Sequence, residues 1–385
     1  MWYIYQGIIT AVLAILAVNL ILNLRSLHRL GKDDGEPPET LPLISILIPA
    51  RNEERNIAAC VESLLEQDYP SYEILVLDDG SSDNTAAIIE SMAAADSRLR
   101  LLRGKPLPSG WAGKPFACAQ LAAEARGDWL LFTDADTVHA PNMLSSALAY
   151  SHSHKLSLLS GFPMQRMVSF SQRVVIPVIY SILLSLLPLW WLQGLKKPRP
   201  GFAFGQFLFF KTDDYRAMGG HEVVKSRIVE DLWLGLETVR RGKRQGVVDL
   251  TQVVACRMYT GLGELYHGLN KIFYSMTSMS PLLFILAIIV GAGLFLTPFA
   301  LVAGHFIPIL PDWGWSTVIA LQVALILLMQ LLIDLHFHQS RRYFILHPAG
   351  ISFLVLCCFR GVISRLTGAG INWKQRHYSH DSTVK

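Results

Sequence analysis

The sequence predicts an α/β protein: a domain with a mostly parallel sheet, carried between N-terminal and C-terminal transmembrane helices. Three observations support this. Short β-branched runs alternate with helical stretches from Leu43 to about Met258, long apolar runs bound that region on both sides, and hydrophobic residues make up 51% of the chain against 17% charged. That balance is more apolar than soluble domains show, so part of the chain faces lipid.

The first apolar run, Trp2 to Leu24, is too long for a signal-peptide core and has neither a charged n-region nor a small-residue cleavage site. Residues 1–25 therefore read as a spanning anchor. Arg25, Arg29, Lys32 and Arg51 follow it, and the positive-inside bias places the next region in the cytoplasm. The polar, Pro-containing stretch from Lys32 to Thr40 is a linker. A cytoplasmic domain over residues 41–275 begins after it. Its strands are expected at Ile44 to Ile48, Ile74 to Leu77, Leu99 to Leu102 and Trp129 to Thr133. Helices are expected at Glu54 to Gln67, Thr85 to Ala95 and Pro115 to Ala125. The alternation reads as βαβ units, whose ligands bind beyond the carboxyl ends of the strands.

Within that domain, Val174 to Leu192 is almost wholly apolar, yet Arg173 precedes it and Lys196, Lys197 and Arg199 follow. Both flanks favour the cytoplasm, so residues 174–192 are expected to lie in the membrane interface as a helix, near where a lipid would enter. Residues 280–362 form a C-terminal membrane region. Pro281 to Ala303 and Ser316 to Ile333 are each long enough to span, with Trp313 and Trp315 between them as an interfacial belt and Arg341 and Arg342 marking a cytoplasmic return. Phe344 to Phe359 is shorter and contains Pro348 and Gly350, so a re-entrant or interfacial segment is expected there. Residues 363–385 are then a cytoplasmic tail. The whole reads as a multi-pass protein of the cell membrane.

The net charge of +4 is modest, and the Lys and Arg residues flank apolar runs rather than interleaving with aromatics. This pattern suits anionic lipid headgroups and excludes a nucleic-acid-binding surface. The five cysteines, Cys60, Cys118, Cys256, Cys357 and Cys358, form no CxxC pair, as in a reducing compartment, and suggest no zinc site.

Three of the four predicted strands end in carboxylates. The first runs into Pro49-Ala50-Arg51-Asn52-Glu53-Glu54 and the second into Asp78-Asp79-Gly80-Ser81-Ser82-Asp83. There they can accept hydrogen bonds from a base or a ribose; equally, Asn52 and Asp83 can be helix caps and Asp79-Gly80 a turn. The strand from Trp129 ends in Asp134-Ala135-Asp136, and residues i and i+2 of a strand share a face, so both carboxylates can reach one hard divalent cation, Mg2+ or Mn2+, and through it a diphosphate. Lys114, in a Gly-rich turn opening a helix, can face that diphosphate or simply be solvated. Further on, Gly219-Gly220-His221 precedes Glu230-Asp231 at a helix start. Displacement at an anomeric carbon needs a base for the acceptor proton; Asp231 is chosen over Glu230, and His221 is given a structural or acceptor-positioning role.

At these residues the chain resembles glycosyltransferase family 2, of the GT-A fold. The resemblance covers residues 43 to 260 through PxRNEE, DDGSSD, GK, DAD and ED. Within the family it is most similar to membrane glycosyltransferases of carotenoid-acid (diaponeurosporenoate-type) and hopanoid pathways, sharing Gly219-Gly220-His221, Arg257-Met258-Tyr259, Gly268-Leu269-Asn270-Lys271 and Trp373-Lys374-Gln375-Arg376-His377-Tyr378. The resemblance implies Pro49, Ala50, Glu53 and Asp79 at the nucleotide, Asp134 and Asp136 at the metal, and Asp231 as base, with inversion; Asp78, Lys114 and Asp134 are also expected at the nucleotide-sugar. It also implies a UDP-sugar donor such as UDP-glucose and a lipid acceptor. Gln206, His221, Glu230, Trp373 and Arg376 are expected acceptor or diphosphate contacts. The QxxRW motif of processive polysaccharide synthases is missing, which favours transfer of a single sugar. A processive synthase, and a non-catalytic membrane scaffold with a nucleotide-binding domain, stand as the alternatives.

Overall fold

The computed structural model describes residues 2–192, 201–277, 280–305, 317–374 and 376–378. The basic flank at Lys196, Lys197 and Arg199, the interfacial Trp313 and Trp315, Gln375 and the tail beyond Tyr378 lie outside the described residues. The chain divides into two compact units, one built on a sheet and one on apolar helices.

The sheet unit comprises Leu27–Arg166, Trp191–Met258 and the segment from Lys374. Its strands are β1 (Ile44–Ala50), β2 (Tyr72–Asp78), β3 (Leu99–Arg103), β4 (Trp129–Phe132), β5 (Thr137–His139), β6 (Leu158–Phe162), β7 (Met164–Gln165), β8 (Leu208–Lys211), β9 (Gln245–Asp249) and β10 (Val254–Cys256). Seven of them form one sheet in the order β3-β2-β1-β4-β8-β6-β9. All pairings are parallel except those of β8, which runs antiparallel to β4 and β6.

Alternate side chains of the strands feed two cores. Ile46, Ile48, Val76 and Leu131 pack with Ile57, Cys60, Leu64 and Ile89. Leu47, Leu75, Leu77, Leu130 and Phe132 pack with Ala117, Cys118 and Leu121. A sheet covered on both faces explains why β1 and β2 read as continuous apolar runs rather than alternating ones. From β1 the chain winds outward to β2 and β3, then returns to β4 on the other side of β1. The carboxyl ends of β1 and β4 therefore flank a topological switch point, where an open α/β sheet leaves a crevice. A smaller sheet, β5-β10-β7, lies beyond β4.

The expected strands and helices are present, with boundaries shifted by a few residues. One local expectation fails. Asp134-Ala135-Asp136 does not continue a strand: β4 stops at Phe132, and the three residues turn before β5. The i, i+2 alternation of an extended chain therefore does not set the two carboxylates side by side.

The helical unit comprises Met1–Ser26, Met167–Trp190 and Tyr259–Trp373. Among the described residues, three of its helical segments are long and apolar enough to cross a membrane: Trp2–Ser26, Thr317–His336 and Phe344–Leu366. Pro281–Phe295 and Thr297–Gly304, read from sequence as one span, are bent by 44° at their junction. Pro298 sits in the first turn after the bend, where its missing N–H cannot continue the preceding ladder. The last segment is longer than expected because Pro348 lies at the start of the helix His347–Leu366, where proline is tolerated, and does not interrupt it.

The interfacial segment expected at 174–192 is the helix Phe170–Leu186, opened by a capping box between Ser169 and Gln172. The boundaries 41–275 placed it in the catalytic domain, whereas its contacts group it, together with Leu262–Met276, with the apolar helices. The carbonyls at its end explain why. Asn23 Nδ2 donates to Leu184 and Leu187 at 2.6 Å each, and Asn19 Nδ2 donates to Ser185 at 2.7 Å. Two asparagines of the N-terminal helix thus satisfy carbonyls that would otherwise be costly in an apolar setting.

Candidate active site

The loops after β1 and β2 are tied together at the switch point. Asp79 N donates to the Ala50 carbonyl at 2.8 Å. Asn52, at φ 54°, accepts from Ser82 N at 2.8 Å, so it bridges the two loops and does not cap a helix. Asp83 does take a cap-like role, accepting from Thr85 N at 3.0 Å and Glu54 N at 3.1 Å. Ala50 is buried and Pro49 half-buried beneath these loops. Asp78 is buried and accepts from Ser81 N at 3.1 Å and Arg103 Nη1 at 3.2 Å. Asp79 and Glu53 meet cations from far along the chain. Arg376 donates to both Asp79 oxygens, at 2.6 and 2.8 Å, and the Lys374 ammonium pairs with Glu53.

The turn after β4 is fixed by its hydroxyls and by β10. Thr137 Oγ1 donates to the Asp134 carbonyl at 2.7 Å, and Arg257 N donates to the Asp136 carbonyl at 3.0 Å. Cys256 Sγ stands 3.5 Å from Asp136 Oδ1 as a thiol donor, its ionisation suppressed by burial and by the two aspartates. Burial, then the charges of Asp134 and Glu53, push the Asp136 carboxyl up to about 7, with Lys374 opposing. The turn therefore concentrates negative charge that has little solvent to relieve it. Among the described residues no group of three His, Cys, Asp or Glu side chains is placed to hold a metal unaided. Two crowded carboxylates with hard oxygen donors nevertheless fit a divalent cation whose remaining ligands come from a diphosphate and water.

Lys114 is not a solvated turn residue. Its Nζ lies 2.6 Å from Asp134 Oδ1 and 3.0 Å from Glu230 Oε1. Burial opposes its charge, but Asp134, Glu230 and Asp231 outweigh that and hold the ammonium well above the usual lysine range. Glu230, almost fully buried, is committed to this pair. Asp231 is half-buried and accepts from Gly205 N at 2.7 Å and from Leu232 N at 2.9 Å. Burial and the neighbouring Glu230 push its carboxyl up to about 6, Lys114 and the two N–H groups pulling the other way.

These groups converge on one glycine. A β-carbon at position 205 would lie 2.8 Å from Lys114 Nζ, 3.1 Å from Asp231 Oδ2 and 3.6 Å from Asp134 Oδ2. Gly205 went unremarked in the sequence, although a glycine set among Phe202, Phe204 and Phe207 signals a close approach. Next to it, buried Gln206 accepts through its carbonyl from Thr133 Oγ1 at 2.8 Å. His221 is fully buried, its Nδ1 2.7 Å from the Tyr215 hydroxyl and its ring 4.7 Å from that of Phe132. Burial lowers it to about 3, so it is a neutral ring. Arg376 stands at Asp79 rather than at the Asp134–Asp136 turn; the Trp373 side chain lies outside the described residues. Arg51, Cys256 and Lys374 also reach this region and had no sequence signal beyond proximity to a motif.

A sheet with this order, carboxylates at its switch point and an acidic turn after β4 define the GT-A class of fold. A mannosyltransferase from Pyrobaculum calidifontis, solved in complex with GDP-Man and Mn2+, shares it at a TM-score of 0.54 and 17% identity over 94% of this chain and 99% of that one. Residues 45–218 match the family described as Glycosyl transferase family 2. It is also similar to the 4,4'-diaponeurosporenoate glycosyltransferase of Staphylococcus aureus strain MRSA252, 28% identical over 243 residues, 59% of this chain and 60% of that protein. The same enzyme of strain USA300 matches at 28% over 235 residues, again 59% and 60%. The chain thus spans about 60% of the length of the curated relatives it matches.

Proposed function

We propose that this chain transfers one sugar, glucose being expected, from a UDP-sugar to a membrane lipid acceptor such as a carotenoid acid or a hopanoid, with inversion. The observation that carries the proposal is the convergence of Asp134, Lys114 and Asp231 around Gly205. Support for the donor comes from the two loops that present Glu53 and Asp79 beside β1 and β2, suited to a nucleoside, and from Lys114 at the start of the helix Gly113–Glu124, suited to its phosphates. Asp134 and Asp136 would hold Mg2+ or Mn2+, whose chemistry when bound is to neutralise charge on the departing nucleoside diphosphate. Lys114 adds a fixed positive charge at the same place.

Asp231 is the base. Its two backbone donors hold the carboxylate in place, and its raised pKa brings it close to neutrality, where a base works best. It takes the acceptor hydroxyl proton as that oxygen bonds to the anomeric carbon and the nucleoside diphosphate leaves from the opposite face. The pairing of Glu230 with Lys114 favours Asp231 over it in that role. The decisive experiment is lipid extraction and mass analysis after expression of the wild-type chain and of Asp231→Asn; a glycolipid formed on a lipid hydroxyl only by the wild type is expected, and equal amounts of such a product from both would overturn the assignment.

Gly205→Ala should lower kcat by about 10- to 100-fold and raise the KM for the donor. The new methyl displaces the Lys114 ammonium and presses on Asp231, and misplacement on this scale costs roughly that much. Steady-state kinetics would check both kcat and KM.

The reading also carries an expectation for membrane topology. Lys374 and Arg376 belong to the sheet unit, so the chain after Met276 must return to the side on which that unit lies. An even number of crossings is then required of the three candidate elements Pro281–Gly304, Thr317–His336 and Phe344–Leu366. With the positive-inside rule this puts both domain and tail in the cytoplasm. A cysteine at position 380 should resist a membrane-impermeant thiol reagent in intact cells and react after lysis; labelling in intact cells would contradict the even count.

A further inference from the structure

We propose that Lys374 and Arg376 act as an autoinhibitory strap that occupies the nucleoside subsite when no donor is bound. This rests on the donor-site reading of Glu53 and Asp79 above and adds a regulatory contact to it.

Four observations on the sheet unit support the strap. The Arg376 guanidinium donates to both oxygens of Asp79, at 2.6 and 2.8 Å, a bidentate pairing that leaves that carboxylate little capacity for a base or ribose. The Lys374 ammonium pairs with Glu53 and donates to the Arg51 carbonyl at 3.1 Å, covering the second loop in the same way. Arg51 closes the strap from the other side, Nε donating to the Lys374 carbonyl at 3.2 Å and the guanidinium to the Asp79 carbonyl. Finally, Arg376 lies directly on Gly113, the first residue of the helix Gly113–Glu124, where any β-carbon would collide with the guanidinium.

The last contact shows what the strap displaces. A helix N-terminus attracts anions, and a cation there is electrostatically misplaced. Arg376 is held at this point by Asp79, against Gly113, the residue that precedes Lys114. A nucleoside diphosphate would supply the anion the helix start favours and compete with Arg376 for Asp79. Only molecules with the strap released would then bind it, and the apparent affinity is reduced by that fraction.

The test is titration of the full-length protein in nanodiscs with UDP, and in parallel with GDP, in the presence of Mn2+, by calorimetry. Arg376→Ala and a chain ending at Trp373 should both bind nucleotide about tenfold more tightly than wild type, the scale set by one charge-assisted bidentate pair. Arg376→Lys, which keeps the charge but loses the fork, should also tighten binding. Removing a cation beside an anionic ligand would ordinarily weaken binding, so tightening is not explained by charge alone. Unchanged or weaker binding in Arg376→Ala and Arg376→Lys, with the wild type binding normally, would overturn the strap and leave the donor site standing. Failure of the wild type and all variants to bind either nucleotide would overturn the donor-site reading itself, and the strap with it.

Discussion

Asp231→Asn should reduce sugar transfer to a hydroxyl acceptor by about 10³-fold, within the usual range for loss of a general base, while the affinity for UDP changes little. The two parameters should separate because Asn keeps the shape and its single amide oxygen can still accept from Gly205 N, one of the two donors that hold the carboxylate, so most of the loop over the site is retained. With the wild type, kcat should rise with pH through about 6, since the base must be ionised and burial and Glu230 raise its pKa to that value. The rise should vanish in Asp231→Asn. The same variant distinguishes acceptor classes. A carboxylic acid is already ionised near neutrality and needs no base, so its glycosylation should fall far less than that of a hydroxyl. Comparable loss with both acceptors would argue that Asp231 positions the acceptor instead.

Asp136→Asn should be nearly as damaging to transfer, by about 10²- to 10³-fold, the usual scale for removing a group that stabilises charge on a leaving group. Its effect on stability should have the opposite sign. In the folded chain the Asp136 carboxyl is raised to about 7 by burial and by Asp134 and Glu53, against an ordinary value of 3.8. The unfolded chain ionises first, so without a cation the folded state loses stability as pH climbs from about 4 to about 7. Asn removes that penalty. Metal-free Asp136→Asn should therefore melt higher than metal-free wild type at pH 8, while the rise in Tm on adding Mn2+ and UDP, which should grow with pH in the wild type, is lost. A variant that melts no higher and still responds to Mn2+ would show that Asp136 is not a ligand.

The parts of the site legible in the sequence are those that follow from local chain direction. Ile44–Ala50, Tyr72–Asp78 and Trp129–Phe132 are apolar strands ending in polar loops, and carboxylates following such strands gather at one edge whatever their spacing. The parts that were not legible join residues distant in sequence. Cys256 reaches Asp136 because β10 pairs with β5, a register no local pattern encodes. Gly205 lies under Asp231 and Lys114 because β8 inserts antiparallel beside β4 and brings its preceding turn to the switch point. The pairing of Glu230 with Lys114, which supports the proposal of Asp231 as base, was likewise not legible.

By itself, the sequence determined the α/β class, the apolar flanks, the acidic edge of the sheet and the identity of its carboxylates, because each depends on hydrophobic periodicity or on a residue's place relative to one strand. Only the tertiary structure decided which charges meet. Lys114 with Asp134 and Glu230, Arg376 with Asp79, and Asn19 and Asn23 with the carbonyls ending the helix Phe170–Leu186 are contacts across as many as 297 positions. An ion pair or hydrogen bond acts over a few ångströms of space and carries no periodic signal along the chain, so its partners are fixed only when strand order and helix packing bring them together.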